Sequence, residues 1–392
     1  MSEHQAPEVQ ATGLSPKKLT TTTRDSAELG RRIEAWLAGT LSAGADPSVC
    51  DVVKPEGNGM SSETLLFTAR YADGGAPVER RFVARIEPEL DKVPVFPTYD
   101  LRLQFDVMSL VSAATDVPVP ETFWFEADAG VIGAPFFVME RIDGEVPRDV
   151  LPYTFPDPNW VIDATPEQRA KLQRSAVTAL AGIHEITPES HDLAFLQYDE
   201  PGATSLERHL ASWERYHEWV VADGEPSPLL AECMTWLRDH LPKEGVDTGP
   251  PRLSWGDARI GNMMFVDHEV VAVLDWEMAG VAPPEVDLGW MTYLHRFFQD
   301  LTTSLGAEGI PDMMRPVDAR ATYAEASGRD VGDLTWHLAY AAMRHGIIMR
   351  RVTERSILFG EAVRPEDPDE MIIHRATLRA MLDGSYWDTV AL

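Results

Sequence analysis

Three oxygen-bearing side chains bracket two short apolar runs in LSWGDARIGNMMFVDHEVVAVLDWE (253–277): Asp257 and Asn262 precede MMFV, and Asp275 follows VVAVL. The runs read as the two strands of a hairpin. A hairpin brings its free ends together, so Asn262 and Asp275 can meet there. The plain alternative is three solvated residues on a hairpin rim, and the spacing argues against it. Phosphoryl transfer requires a carboxylate beside the attacking hydroxyl and oxygen ligands for a divalent ion that grips a triphosphate. A carboxylate, an amide five residues on and a carboxylate beyond the hairpin can fill these roles. On this reading Asp257 orients an acceptor hydroxyl and takes its proton, while Asn262 and Asp275 hold Mg2+.

The elements that must position this set divide the chain in two. Residues 1–25 are polar and read as a disordered tail. Residues 26–140 form a β-rich part. Ile33, Trp36, Leu37 and Leu41 recur at helical spacing in 31–41, and TLLFTARY (64–71) and RRFVARIE (80–87) read as a hairpin around ADGG. A helix over 101–114 and two further strands, TFWFEAD and 134–140, follow. Residues 141–392 are mostly helical, with expected helices at 167–185, 205–221, 228–241, 285–300, 318–327, 333–355 and 370–383, and the hairpin set among them. The plan is α+β and two-lobed.

Bulk properties narrow the function classes. The chain has 392 residues, 44% of them hydrophobic, and a formal net charge of −29, which argues against a nucleic-acid binder, since that class needs a basic stripe. An acidic field would suit a cationic substrate, although a solvated acidic surface is the plainer reading. Two cysteines, Cys50 and Cys233, lie far apart and outside any metal-binding spacing. No signal-peptide core and no membrane-spanning apolar run is present, so a cytoplasmic protein with no membrane partner is expected. A two-metal hydrolase would require His/Asp clusters that the sequence lacks. Oligomeric state is not legible.

GDARIGN fits the D-x-x-x-x-N catalytic loop of the protein-kinase-like fold. Followed by VLDWE, it resembles the aminoglycoside phosphotransferase and choline kinase branch, which includes the phosphotransferase domains associated with acyl-CoA dehydrogenases. The resemblance extends from near residue 30 onward. It implies a bilobal fold: a small antiparallel N-lobe sheet with one main helix, and a larger helical C-lobe carrying the catalytic hairpin. It also implies ATP and Mg2+ as cofactors and a small-molecule hydroxyl substrate, either aminoglycoside-like or hydroxyacyl-CoA-like. In that frame Asp257 is the base, Asn262 and Asp275 are the metal ligands, and Arg259 carries a cation towards the γ-phosphate.

The resemblance places further residues. EGNGMSSETLLFTARY looks like the nucleotide-covering turn, with Gly57, Gly59, Ser61 and Ser62 approaching the phosphates. Arg85 stands where the family has its phosphate-binding lysine. The backbone of Glu140 or nearby residues corresponds to the hinge that meets adenine, with Phe137 and Met139 as core or pocket lining. Asp287, in PPEVDLGW, would brace the catalytic loop, although a first-turn helix carboxylate is an equal reading. His184 reads as a helix-end histidine that stabilises its own helix. The arginines of RHGIIMRRVTER (344–355) form either a helix surface or a cleft mouth for CoA phosphates.

Two positions depart from the family pattern. Gln104 replaces the glutamate that pairs with the strand lysine, leaving only a neutral amide to accept from Arg85. Trp255 stands where a histidine normally braces the loop. These departures motivate a rival reading, a nucleotide-binding regulatory protein without phosphoryl transfer.

Overall fold

The computed structural model describes residues 24–55, 63–88, 94–222 and 224–390. The first helix, α1 (Ser26–Thr40), begins earlier than its apolar spacing suggests, because the Asp25 carboxylate accepts the Glu28 N–H at 2.9 Å and caps it. Arg24 and Asp25 therefore belong to the folded part rather than to a tail. The Arg24 guanidinium pairs with Glu63 at 2.9 Å and donates to the Glu87 carbonyl.

The N-terminal sheet contains β1 (Ser48–Val53), β2 (Glu63–Asp73) and β3 (Ala76–Ile86). After α2 (Leu101–Ala114) come β4 (Thr122–Glu126) and β5 (Phe136–Glu140). The strand order is β1-β2-β3-β5-β4 with every neighbour antiparallel. The β2–β3 turn is the pair Gly74-Gly75, both at positive φ as a tight two-residue hairpin requires. Strand β1 was not anticipated. It is an edge strand with no fully buried residue, so it carries no clear alternation.

Period-2 alternation gives the sheet two different faces. Leu65, Phe67, Phe82, Ala84 and Ile86 pack with Leu29, Ile33 and Leu37 of α1. Val83, Phe137 and Met139 join Val107, Met108 and Val111 of α2 in the larger core, which continues into the helical lobe. Arg85 is two residues beyond Val83 and so lies on the face turned towards the second lobe. Phe137 and Met139 are core.

The helical lobe is built from α3 (Pro166–Ile183), α4 (Ser205–Val221), α5 (Pro228–Asp239), α6 (Pro284–Ser304), α7 (Pro316–Ser327), α8 (Thr335–Leu358) and α9 (Arg375–Asp383). Helices α3 and α4 open on reciprocal capping boxes, Thr165 with Gln168 and Thr204 with Glu207. Between α5 and α6 run four short strands: β6 (Arg252–Ser254), β7 (Met263–Val266), β8 (Glu269–Val273) and β9 (Gly280–Ala282). β6 pairs with β9 and β7 with β8. The three-residue β6–β9 ladder is too short to show a period in sequence.

Helix α8 runs through the middle of this lobe. Arg344, Arg350 and Arg355 are buried, at 0%, 2% and 5% exposure. These three fit neither expected placement, because their guanidinium groups are spent on carbonyls and aromatic faces inside the protein, while Arg351 is half-buried against Trp219. The aromatic sets of α4 and α8, including Trp213, Tyr216 and Tyr340, are core as well.

Glu63 opens β2 and is fully buried, gripping Arg24 at 2.9 Å and Lys54 at 2.7 Å. Removing its charge deprives Arg24 and Lys54 of the carboxylate they share. Glu63→Gln is expected to cost roughly 3 kcal/mol, read as a lowered urea midpoint at unchanged m-value.

Candidate active site

The β7–β8 hairpin turns on Asp267 and His268, both at positive φ. Beyond its open end the ladder gains one more bond, from the Leu274 N–H to the Asn262 carbonyl at 2.9 Å. That bond brings the residues at the two free ends together. Asn262 turns its amide inward, with Nδ2 donating to Asp257 Oδ2 at 2.7 Å and to the Asp257 carbonyl at 3.1 Å. Asp275 follows directly after Leu274 at φ 60. The three residues singled out by spacing are thus neighbours around one small volume.

The loop from 254 to 257 hangs on Asp287 in the first turn of α6. Its Oδ1 accepts from Ser254 Oγ at 2.8 Å and the Gly256 N–H at 3.0 Å. Its Oδ2 accepts from the Trp255 N–H at 2.7 Å and His184 Nε2 at 3.1 Å. Burial alone would raise this carboxyl, but His184 and the surrounding donors outweigh burial and hold it below its ordinary value. An ionised carboxylate only accepts, so His184 carries its proton on Nε2 and its Nδ1 faces the Tyr323 hydroxyl at 2.9 Å. His184 therefore ties α3 to α6 and α7 rather than stabilising its own helix end. Trp255 is fully buried and its indole N–H donates to the Leu274 carbonyl at 2.9 Å, which fastens the loop to the end of the hairpin.

Charge is distributed unevenly around Asp257. Its Oδ2 also accepts from Arg259 Nε at 3.1 Å, and its Oδ1 accepts the Trp290 indole N–H at 2.7 Å. The Arg259 guanidinium extends to Asp149 at 2.6 Å. Burial would lower the Arg259 pKa, but Asp257 and Asp149 reverse the sign and hold it above its usual value. Across the cleft, Arg85 receives support from Thr64 Oγ1 at 3.3 Å and approaches Asp275 Oδ1 to 3.7 Å. Burial raises the Asp275 carboxyl above the usual carboxylate range, with Arg85 opposing it.

The donor set fits a divalent ion. Asp275 Oδ1 is buried and accepts no hydrogen bond, with Arg85 no nearer than 3.7 Å, so a buried carboxylate oxygen still has room for a closer cation. Asn262 has committed its Nδ2, which leaves the carbonyl oxygen as its cation ligand. No cluster of three or more His, Cys, Asp or Glu suited to a metal exists among the described residues. One carboxylate with one amide suits an ion that brings its own phosphate and water ligands, as Mg2+ does.

The remaining expectations divide. Gly57, Gly59, Ser61 and Ser62 lie outside the described residues. Gln104 is buried, but it makes no hydrogen bond to Arg85 and its Nε2 finds no partner. A neutral amide cannot compete with the Asp275 carboxylate for a guanidinium, so the expected Arg85–Gln104 contact is replaced by one across the cleft. The Glu140 N–H is already donated to the Glu121 carbonyl at 2.8 Å, so this donor cannot meet adenine without breaking that bond. Asp149 and Trp290 were missed. Nothing in VPRDVLPY marks Asp149 before folding. Trp290 had a usable signal, since it lies three residues after Asp287 on one helix and therefore on the same face.

With this geometry, the profile of the phosphotransferase enzyme family matches residues 66–328, and the chain belongs to that family. The fold agrees. A Ralstonia eutropha structure assigned to the aminoglycoside phosphotransferases superposes with a TM-score of 0.62 at 22% identity, covering 92% of this chain and 99% of that one. A thermostable mutant of the aminoglycoside phosphotransferase APH(4)-Ia, in a ternary complex with AMP-PNP and hygromycin B, gives a TM-score of 0.51 at 13% identity, covering 90% and 98%. Among curated proteins, the Arabidopsis thaliana "Probable acyl-CoA dehydrogenase IBR3" is 26% identical over 314 residues, 77% of this chain. The match spans 36% of that relative's length. No helix among the described residues is long and apolar enough to cross a membrane.

Asp287→Asn is expected to cost roughly 3 kcal/mol, because an amide cannot accept from four donors and presents its own N–H to some of them. The Asp287 carboxyl is depressed in the fold. Its contribution is therefore full above the unfolded-state value of about 4 and is lost as pH falls through the lower folded value. The gap in urea midpoint between wild type and variant should be widest near neutrality and close at acid pH.

Proposed function

We propose that the chain is an ATP-dependent phosphotransferase that moves the γ-phosphate to a hydroxyl of a small molecule. The observation that carries this reading is the gathering of Asp257, Asn262 and Asp275 at the open end of one hairpin, with Arg85 reaching the same place from the sheet. The complex of a relative with an ATP analogue supports the choice of nucleotide.

In the proposed reaction the acceptor oxygen bonds to the γ-phosphorus as the bond to the β–γ bridging oxygen breaks. ADP leaves with that electron pair, and the hydroxyl proton passes to Asp257. Arg85 holds phosphate oxygens, and its planar fork can pair two of them. Arg259, steadied by Asp149, carries positive charge beside the base and towards the transferring group. Asn262 and Asp275 would hold Mg2+, which when bound supplies charge neutralisation for the β- and γ-phosphates. Catalysis on this plan comes mainly from positioning and electrostatics.

The acceptor is an alcohol. Aminoglycosides and hydroxyacyl-CoA thioesters are the two classes to test first, the second supported by the names of the curated relatives. Burial of Arg344, Arg350 and Arg355 reduces the basic surface that a CoA reading would have used.

ADP release from MgATP should rise with an alcohol from one of these classes. Asp257→Asn should lower kcat about 10²–10⁴-fold, the usual contribution of a general base. An Asp257→Asn variant as active as wild type would remove the base assignment. Tight MgATP binding without transfer to any acceptor would instead favour the regulatory nucleotide-binding reading, which the departures at Gln104 and Trp255 motivate.

A further inference from the structure

Asp257 has a supporting residue that the family motif does not include. The two oxygens of a carboxylate offer four lone-pair directions. On Oδ2 both are occupied, by Asn262 Nδ2 at 2.7 Å and Arg259 Nε at 3.1 Å. Oδ1 accepts from the Trp290 indole N–H at 2.7 Å. One direction on Oδ1 is thereby left for an acceptor hydroxyl, and the carboxylate cannot rotate without breaking three bonds.

Trp290 is itself held. It is 2% exposed, and the Arg344 guanidinium carbon lies 4.4 Å from its ring centroid, with Trp213 on another side of the cation at 4.6 Å. Arg344 is fully buried, donates through Nη2 to the Gly256 carbonyl at 3.3 Å, and has no hydrogen-bond partner for Nε or Nη1. A buried cation with so few hydrogen bonds is costly, and two of its contacts bear on Asp257. One reaches the backbone carbonyl just before it, and the other lies on the ring that donates to its side chain. A cation on the indole face also withdraws electron density and makes the N–H a stronger donor. Indole donates and never accepts, so Trp290 offers no competing site for the proton that Asp257 takes.

We propose that Trp290, clamped by Arg344, is a positioning residue that fixes the Asp257 carboxylate and makes Oδ1 the oxygen that receives the acceptor's proton. This inference rests on the phosphotransferase reading above.

Trp290→Phe in the full chain keeps the ring and loses the donor. Its kcat should fall about 10- to 100-fold, as expected for a misaimed catalytic group, while KM for ATP stays within about twofold, because ground-state binding is untouched. Trp236→Phe, in α5 against His240, should leave both constants unchanged. A second measurement does not depend on how Trp290→Phe folds. In indole-15N-labelled protein without nucleotide, Asp257→Ala should move one of the eleven tryptophan N–H signals strongly upfield while the others hold. A wild-type kcat for Trp290→Phe, or an unmoved signal in an enzyme that transfers phosphate, overturns the positioning role alone. A moved signal in a protein that phosphorylates no alcohol overturns the function, and the role with it.

Discussion

The buried carboxylate of Asp287 is the constraint on which the site depends. Taking an ion out of water costs several kcal/mol unless its lone pairs are satisfied, and here donors from Ser254, Trp255, Gly256 and His184 satisfy them. Those donors come from the end of β6, the loop before Asp257 and the end of α3, while Tyr323 of α7 holds the far side of His184. The position of the loop is therefore set by the packing of three helices. Gly256 completes the arrangement. At φ 89, with the Met278 carbonyl 1.9 Å from where a Cβ would stand, no side chain is admitted.

From this brace the chemistry follows by charge. Asp149, Asp257 and Asp275 crowd one end of the hairpin, and their mutual repulsion is relieved by two arginines, Arg259 within the lobe and Arg85 from the sheet. Arginine in place of the usual strand lysine is consistent with the loss of the helix glutamate. Its fork can take Thr64 with one nitrogen and approach Asp275 with another, so it needs no anion from α2. The contact from Arg85 to Asp275 also spans the two lobes at one of the proposed metal ligands.

Much of this was legible before folding. The β2–β3 hairpin, α2 and most C-lobe helices follow from periodicity, and α2 was bounded correctly because Asp100 caps one end and the apolar run stops at the other. The elements that were missed show no readable period: the edge strand β1, which has no fully buried residue, and the ladder of β6 and β9, which is buried but only three residues long. In the site, Asp257, Asn262 and Asp275 were legible because one hairpin joins them, and local geometry alone brings its ends together.

Residues that reach the site from distant parts of the chain were not legible in that way. Asp149 is 110 positions from Arg259, and no spacing rule links a loop carboxylate to a guanidinium at that separation. The arginines of α8 read as surface or cleft mouth because charge normally seeks water, yet aromatic faces and stray carbonyls keep three of them inside. Sequence alone determined the local units and the hairpin that joins three catalytic candidates, because short-range geometry is written in neighbouring residues. Only the tertiary structure decided who braces and charges them, since burial and pairing depend on which distant surfaces come to lie against each other.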